Sequence, residues 1–171
     1  MKQRKFIKSL ITHAWEKSIE EDYCNQRINS ERSLQASFWA HLNQMLPKTR
    51  RLFIEPSMRI NANGEMKKLI PDIVVCNTKE VISVIELKYL PRVQPKYEKD
   101  LQSLALIAKN KSKTSIANER FRGPEKDSTR YWLSKNILFV WAGVHAKELS
   151  INNFPISRRN VVRLQGAAMG A

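Results

Sequence analysis

An α+β domain, with a central mixed sheet flanked by helices, is the fold class the sequence predicts, and three observations predict it. β-Branched runs recur at strand length. Apolar residues on either side of them recur at helical spacing. The two patterns alternate as helix, three strands, helix, strand (αβββαβ), behind one further N-terminal helix. The chain has 171 residues and 42% hydrophobic content, enough to bury a core, and reads as a single domain over 1–171 with its core at about 30–144.

Each element has its own signal. Phe6, Leu10 and Ala14, together with Ile7, Ile11 and Trp15, repeat at helical spacing and predict a packing helix over about residues 4–22. Ser30 is the expected N-cap of the second helix, whose buried stripe is Leu34, Phe38, Leu42 and Met45 and which stops at Pro47. "RLFIEPSMRI" reads as one strand, "NANG" as its turn and residues 68–76 as the returning strand. After the hairpin discussed below, Tyr97, Leu101, Leu104 and Ala108 define a helix. "ILFVWAGV" at 137–144 is apolar throughout, as a buried parallel strand requires. Residues from about 157 to 171 read as a basic C-terminal tail.

The chemistry is concentrated in "PDIVVCNTKEVISVIELKYL", residues 71–90. "IVV" and "VISVI" are strands around the turn-like "CNTKE", and hence a β-hairpin. Alternation sets Ile82, Val84, Glu86 and Lys88 on one face and Val81, Ser83, Ile85 and Leu87 on the other. With Thr78-Lys79-Glu80 as a three-residue loop, Asn77 pairs with Val81 and Asp72 falls opposite Glu86, their Cβ atoms about 5 Å apart. Two carboxylates side by side on an apolar face repel, and burying them unpaired costs several kcal/mol. A divalent cation relieves both penalties, and Mg²⁺ takes only one or two protein carboxylates, leaving its other positions to water and phosphate. Lys88, two residues on, can reach a water or a phosphate oxygen. The trio therefore suits metal-assisted phosphodiester chemistry. The alternative is an edge-strand ion pair of Glu86 and Lys88 with Asp72 as a turn residue, against which stands the apolar character of both strands.

Pro71-Asp72, thirteen intervening residues and Glu86-Leu87-Lys88 in a hydrophobic strand resemble the PD-(D/E)XK nuclease superfamily, and the αβββαβ order over about 30–144 resembles its restriction-endonuclease-like core. The tripeptide alone is weak, since Glu65-Met66-Lys67 matches it too, but Glu65 follows a turn and has no aspartate at hairpin distance. The resemblance implies a Mg²⁺-dependent endonuclease or exonuclease, with Mn²⁺ able to substitute. In it Asp72 and Glu86 bind the metal with the backbone carbonyl of Leu87, and Lys88 orients or deprotonates the attacking water. Glu31, one turn before Leu34, resembles the acid that members place on the helix preceding the sheet; it is equally an ordinary first-turn glutamate favoured by the helix dipole, and Gln35 shares the ambiguity. "YEKDLQSLALI" resembles the downstream helix, with Lys99, Asp100 and Gln102 as candidates. Gln102 is followed four residues later by Leu106 rather than Tyr, which argues against the subfamily that pairs those residues.

Thirty Lys and Arg against sixteen Asp and Glu give a net charge of +14, spread along the chain. A polyanion is the expected partner, DNA more than RNA; a basic surface kept for solubility is the alternative. "KNKSKTSIANERFRGPEKDSTR" reads as a mobile surface loop in which Lys109, Lys111, Lys113, Arg120 and Arg122 either track a phosphate backbone or are simply solvated. Cys24 and Cys76 lack metal spacing and read as free thiols, which suits the cytoplasm. No stretch approaches a membrane span or a signal peptide. His13, His41 and His145 lack zinc spacing, and no phosphate loop or serine elbow occurs. The rival class is a catalytically idle nuclease-fold module that only binds nucleic acid, or a subunit of a larger nuclease complex; the chain is small for target recognition alone. Cutting both strands of a duplex would favour a homodimer.

Overall fold

The computed structural model describes residues 2–93, 97–117, 120–122, 125–127, 129–146, 156–157 and 160–167. It is a mixed α/β fold in which three α-helices flank an eight-stranded mixed sheet, counted among the described residues. Helix α1 (Lys2–Lys17) runs into a π-helical turn (Ser18–Tyr23), so the predicted first helix ends where expected. Its buried stripe is Ile7, Ile11, Ala14 and Trp15, whereas Phe6 is exposed. Helix α2 (Glu31–Met45) starts at Ser30, whose hydroxyl accepts from the Ser33 N–H while Ser33 Oγ accepts from the Ser30 N–H, and it buries Leu34, Phe38 and Leu42.

Strands β1 (Arg51–Ile54), β2 (Met58–Ala62), β3 (Glu65–Leu69), β4 (Ile73–Cys76) and β5 (Glu80–Leu90) precede α3 (Glu98–Lys109). Five strands thus stand where three were expected. The reason is proline: "RLFIEPSMRI" breaks at Pro56, next to Glu55 at a left-handed φ of 48°, and residues 68–76 break around Pro71. The two breaks are tied together, since the Glu55 N–H donates to the Asp72 carbonyl at 2.9 Å. "NANG" closes β2 onto β3 with positive φ at both Asn63 and Gly64, as a two-residue hairpin turn needs.

Two further segments join the sheet against expectation. β6 (Thr114–Ala117) lies inside the stretch read as a surface loop, because the β-branched Thr114 and Ile116 favour a strand that buries both of them and Ser115 between neighbours. β7 (Arg120–Arg122) and β8 (Glu125–Asp127) pair as a separate two-stranded ribbon. β10 (Val161–Ala167) lies in the stretch read as a tail; it pairs parallel to β9 (Arg130–His145) and buries Val162 and Leu164 at strand period. The sheet order is β1-β4-β5-β9-β6-β2-β3, with β10 also on β9. β5 and β9 run parallel, as "ILFVWAGV" predicted.

The sheet separates two cores. On one face α1 and α2 cover Ile73, Val75, Ile85, Leu87, Leu138, Val140, Val144 and Leu164. On the other α3 covers Met58, Ile60, Val74, Val84, Ile116, Phe139 and Trp141. Burying each such side chain contributes about 1.5–3 kcal/mol, so both faces hold the strands in register. Among the described residues no helix is long and apolar enough to cross a membrane.

Candidate active site

The β4–β5 hairpin is tighter than predicted. Asn77 donates to the Glu80 carbonyl and Cys76 pairs with Val81, leaving Thr78-Lys79 as the loop. Ile82 is then the extra residue of a bulge, and Val75↔Ser83, Val74↔Val84 and Ile73↔Ile85 follow in the predicted register. The bulge exchanges two side chains across the sheet: Val81 joins the α3 core and Ile82 the α1/α2 core, the reverse of strict alternation. Shorter loop and bulge cancel. One step beyond Ile73↔Ile85, Asp72 stands opposite Glu86 on the α3 face.

The hydrogen bonds there follow from strand geometry. The Leu87 N–H donates to Asp72 Oδ2 at 2.6 Å, and the Asp72 backbone carbonyl accepts from Gln35 Nε2 at 3.1 Å. In the same register Pro71 falls opposite Leu87. Proline has no N–H to return, so the strand edge at Leu87 is open toward the carboxylates. Residue N–H and carbonyl point to the same side of a strand, which puts the Leu87 carbonyl on the Asp72 side, where the predicted metal ligand would have to be.

The electrostatics are those of crowded acids. Burial, then the Asp72 carboxyl and Asp100, push Glu86 up to about 9. Burial pushes Asp72 up to about 6, opposed by the Leu87 N–H and reinforced by Glu31 and Asp100. The Asp72 and Glu86 carboxyls touch, so they titrate as a pair. Lys88 Nζ lies 3.7 Å from Glu31 Oε2 and 3.7 Å from Asp100 Oδ2, and its side chain keeps 24% of its surface exposed. Glu31 also accepts from the Tyr89 N–H at 3.2 Å, which fixes the start of α2 against the end of β5. The helix-dipole alternative explains neither contact.

Of the three α3 candidates, Asp100 turns inward and Lys99 and Gln102 are exposed. Burial raises the Asp100 pKa, partly offset by Lys88. Its Oδ2 and the Trp141 Nε1, both buried, close no hydrogen bond, although the indole is near enough to favour the charged carboxylate. Trp141 is in register with Glu86 and Gly143 with Lys88. A Cβ at Gly143 would lie 2.7 Å from Trp141 Cη2, so the glycine lets the indole lie across the strand beside the acids. Sequence reasoning passed over Trp141; "WAG" opposite "ELK" is visible only once β5 and β9 are paired. A cleft of about 740 Å³ opens at Tyr89 and Leu90, lined also by Tyr23, Asn29 and Arg92.

The predicted phosphate-tracking residues are elsewhere. Lys109 and Lys113 are exposed, and Lys111 Nζ donates to the Lys135 carbonyl at 3.0 Å. Lys109 is at the far end of α3, nine residues or about 13 Å along the axis from Asp100. The side chains of Arg120 and Arg122 lie outside the described residues.

Among the described residues no three His, Cys, Asp or Glu side chains converge as a ready ligand set. The donor set nonetheless fits a hard divalent cation: two adjacent carboxyls whose pKa values burial raises and a carbonyl on the same strand side, with water and phosphate to fill the remaining positions. Comparison of the chain with family models, with curated proteins and with solved structures returns no match.

Proposed function

We propose that the chain is a Mg²⁺- or Mn²⁺-dependent nuclease of restriction-endonuclease-like arrangement, acting on DNA rather than RNA. The observation that carries the reading is the buried Asp72–Glu86 pair, two mutually repelling acids whose desolvation the Leu87 N–H offsets only in part, with a partly exposed lysine two residues beyond Glu86. The order β1-β4-β5-β9 between α2 and α3 supports the arrangement, and the net charge of +14 supports a polyanionic substrate.

Asp72 and Glu86 would hold the cation, with the Leu87 carbonyl beside them. When bound, the cation lowers the pKa of water and offsets charge on the phosphodiester. Glu31 and Asp100 hold the Lys88 ammonium between them, from where it orients the water that attacks phosphorus and donates to a non-bridging oxygen as negative charge builds there. The attacking water gives a proton to the surrounding solvent as its oxygen bonds to phosphorus, the bond to the leaving oxygen breaks, and that oxygen takes a proton from solvent. Gln35 and the Leu87 N–H keep Asp72 in place.

Cleavage of supercoiled and linear duplex, single-stranded DNA and RNA by wild type and Glu86→Ala, with Mg²⁺, Mn²⁺ or chelator, tests the proposal. Cleavage by wild type alone and its loss in chelator is the expected result. Equal activity in Glu86→Ala would overturn it, and salt-sensitive binding without cleavage by either protein would transfer the chain to the binding-module class.

A further inference from the structure

Helices α1 and α2 cover only the half of their sheet face made by β1, β4, β5, β10 and the C-terminal half of β9. Among the described residues no helix packs over the other half, made by β2, β3, β6 and the start of β9, and the pairing registers identify its side chains. Arg59 is opposite Lys68 and Ser115, and Ser115 is opposite Trp132, so all four share the face. Arg130, two residues before Trp132, joins them, and its guanidinium donates to Ser115 Oγ at 2.9 Å. Arg59, Lys68 and Arg130 are exposed, and Trp132 leaves 51% of its surface to solvent.

Two features of this row call for a ligand. Arg59 and Lys68 are like charges directly across a strand pair, an arrangement that destabilises a sheet. Charge on an edge strand guards against aggregation, which accounts for Lys68 on β3, but Arg59 and Trp132 lie on interior strands. An indole flanked by cations is also the pattern that stacks bases and neutralises phosphates. Glu80, in register with Trp132, is the acid in the row.

We infer that this face binds single-stranded nucleic acid, with an unpaired base stacked on the exposed side of Trp132 and phosphates met by Arg59, Lys68 and Arg130. A duplex keeps its bases out of reach of the indole. A second copy of the chain, packed by twofold symmetry, would set these cations against themselves. The face is distinct from the acid cluster: Trp132 aligns with Glu80, six residues or about 20 Å along β5 from Glu86, and on the opposite side of the sheet. The inference therefore stands or falls independently of the metal site.

The test is binding of a fluorescein-labelled 20-mer of deoxythymidine in chelator, across a salt series. Wild type, Trp132→Ala, Trp132→Phe and the Arg59→Ser/Lys68→Ser double variant are compared, and each is melted to establish that it is folded. Trp132→Ala should weaken binding about tenfold or more and Trp132→Phe much less, because a phenyl ring still stacks. The double variant should reduce the salt slope by about 1.4, or about 0.7 for each phosphate no longer neutralised. Undiminished binding by folded Trp132→Ala would overturn the inference. So would equal competition by polyglutamate, which marks a general anion surface, or a duplex that binds as tightly and ignores the loss of Trp132.

Discussion

The same tripeptide pattern occurs twice in this chain with opposite surroundings. Glu65-Met66-Lys67 opens β3, the outermost strand of the sheet, where all three residues are exposed and Met66 leaves 63% of its surface to solvent. Glu86-Leu87-Lys88 lies in β5, between β4 and β9, with Leu87 in the core beneath it and Asp72, Asp100 and Glu31 around it. Glutamate and lysine in water are solvated and screened. In β5 they are desolvated, and every charge must be answered by a neighbour. The difference teaches that the motif acquires chemistry from strand position.

The sharpest way to break the comparison is to remove each glutamate. Under the proposed function Glu86→Ala should lose on the order of 1,000-fold or more in metal-dependent cleavage, while Glu65→Ala should retain wild-type rates, measured by single-turnover hydrolysis. The lysines come next. Lys88→Ala should lose on the order of 100-fold in turnover yet still release protons on Mn²⁺ binding by calorimetry in two buffers, and Lys67→Ala should change neither. Asp100→Asn should cost about tenfold in rate, because it loosens Lys88 without removing it.

The smallest effect is on stability, and its sign follows from the raised acids. A folded carboxyl with a raised pKa keeps its proton where the unfolded chain has lost it, so its contribution is complete below about pH 4 and declines as pH rises. The decline runs toward about 6 for Asp72 and about 9 for Glu86 in the metal-free protein. Glu86→Gln should flatten this decline and raise Tm by about 4 °C at pH 8, corresponding to about 1–2 kcal/mol, whereas Glu65→Gln should leave the profile alone. A Glu86→Gln profile as steep as wild type's, read by thermal melts from pH 4 to 9, would mean that the buried pair is not what titrates.

Much of the site's geometry was legible in the sequence because a hairpin is local. Asp72 and Glu86 are separated by a short loop whose length sets their register, and the count came out right although the loop is one residue shorter, since the bulge at Ile82 restored it. Glu31 was legible as an inward position on α2, but its contacts with Lys88 and the Tyr89 N–H depend on how α2 docks. Asp100 was one of three α3 candidates. Helical periodicity around Leu101 and Leu104 could have favoured it over Lys99 and Gln102, which fall on the solvent side. The lysines of residues 109–113 were grouped by composition alone, and composition carries no direction.

The sequence by itself determined the strand and helix signals, the caps and prolines that punctuate them, and the facing of two acids across one hairpin. All of these rest on contacts between residues close along the chain, where backbone geometry leaves few arrangements. Only the tertiary structure decided that β5 is the strand β9 pairs with and in which register, that Trp141 crosses Gly143 beside Glu86, that α3 brings Asp100 to Lys88, and that Trp132 stays half exposed among Arg59, Lys68 and Arg130. Those outcomes depend on which distant elements bury one another's apolar faces. That choice is made by the packing of the whole sheet, and no local periodicity encodes it.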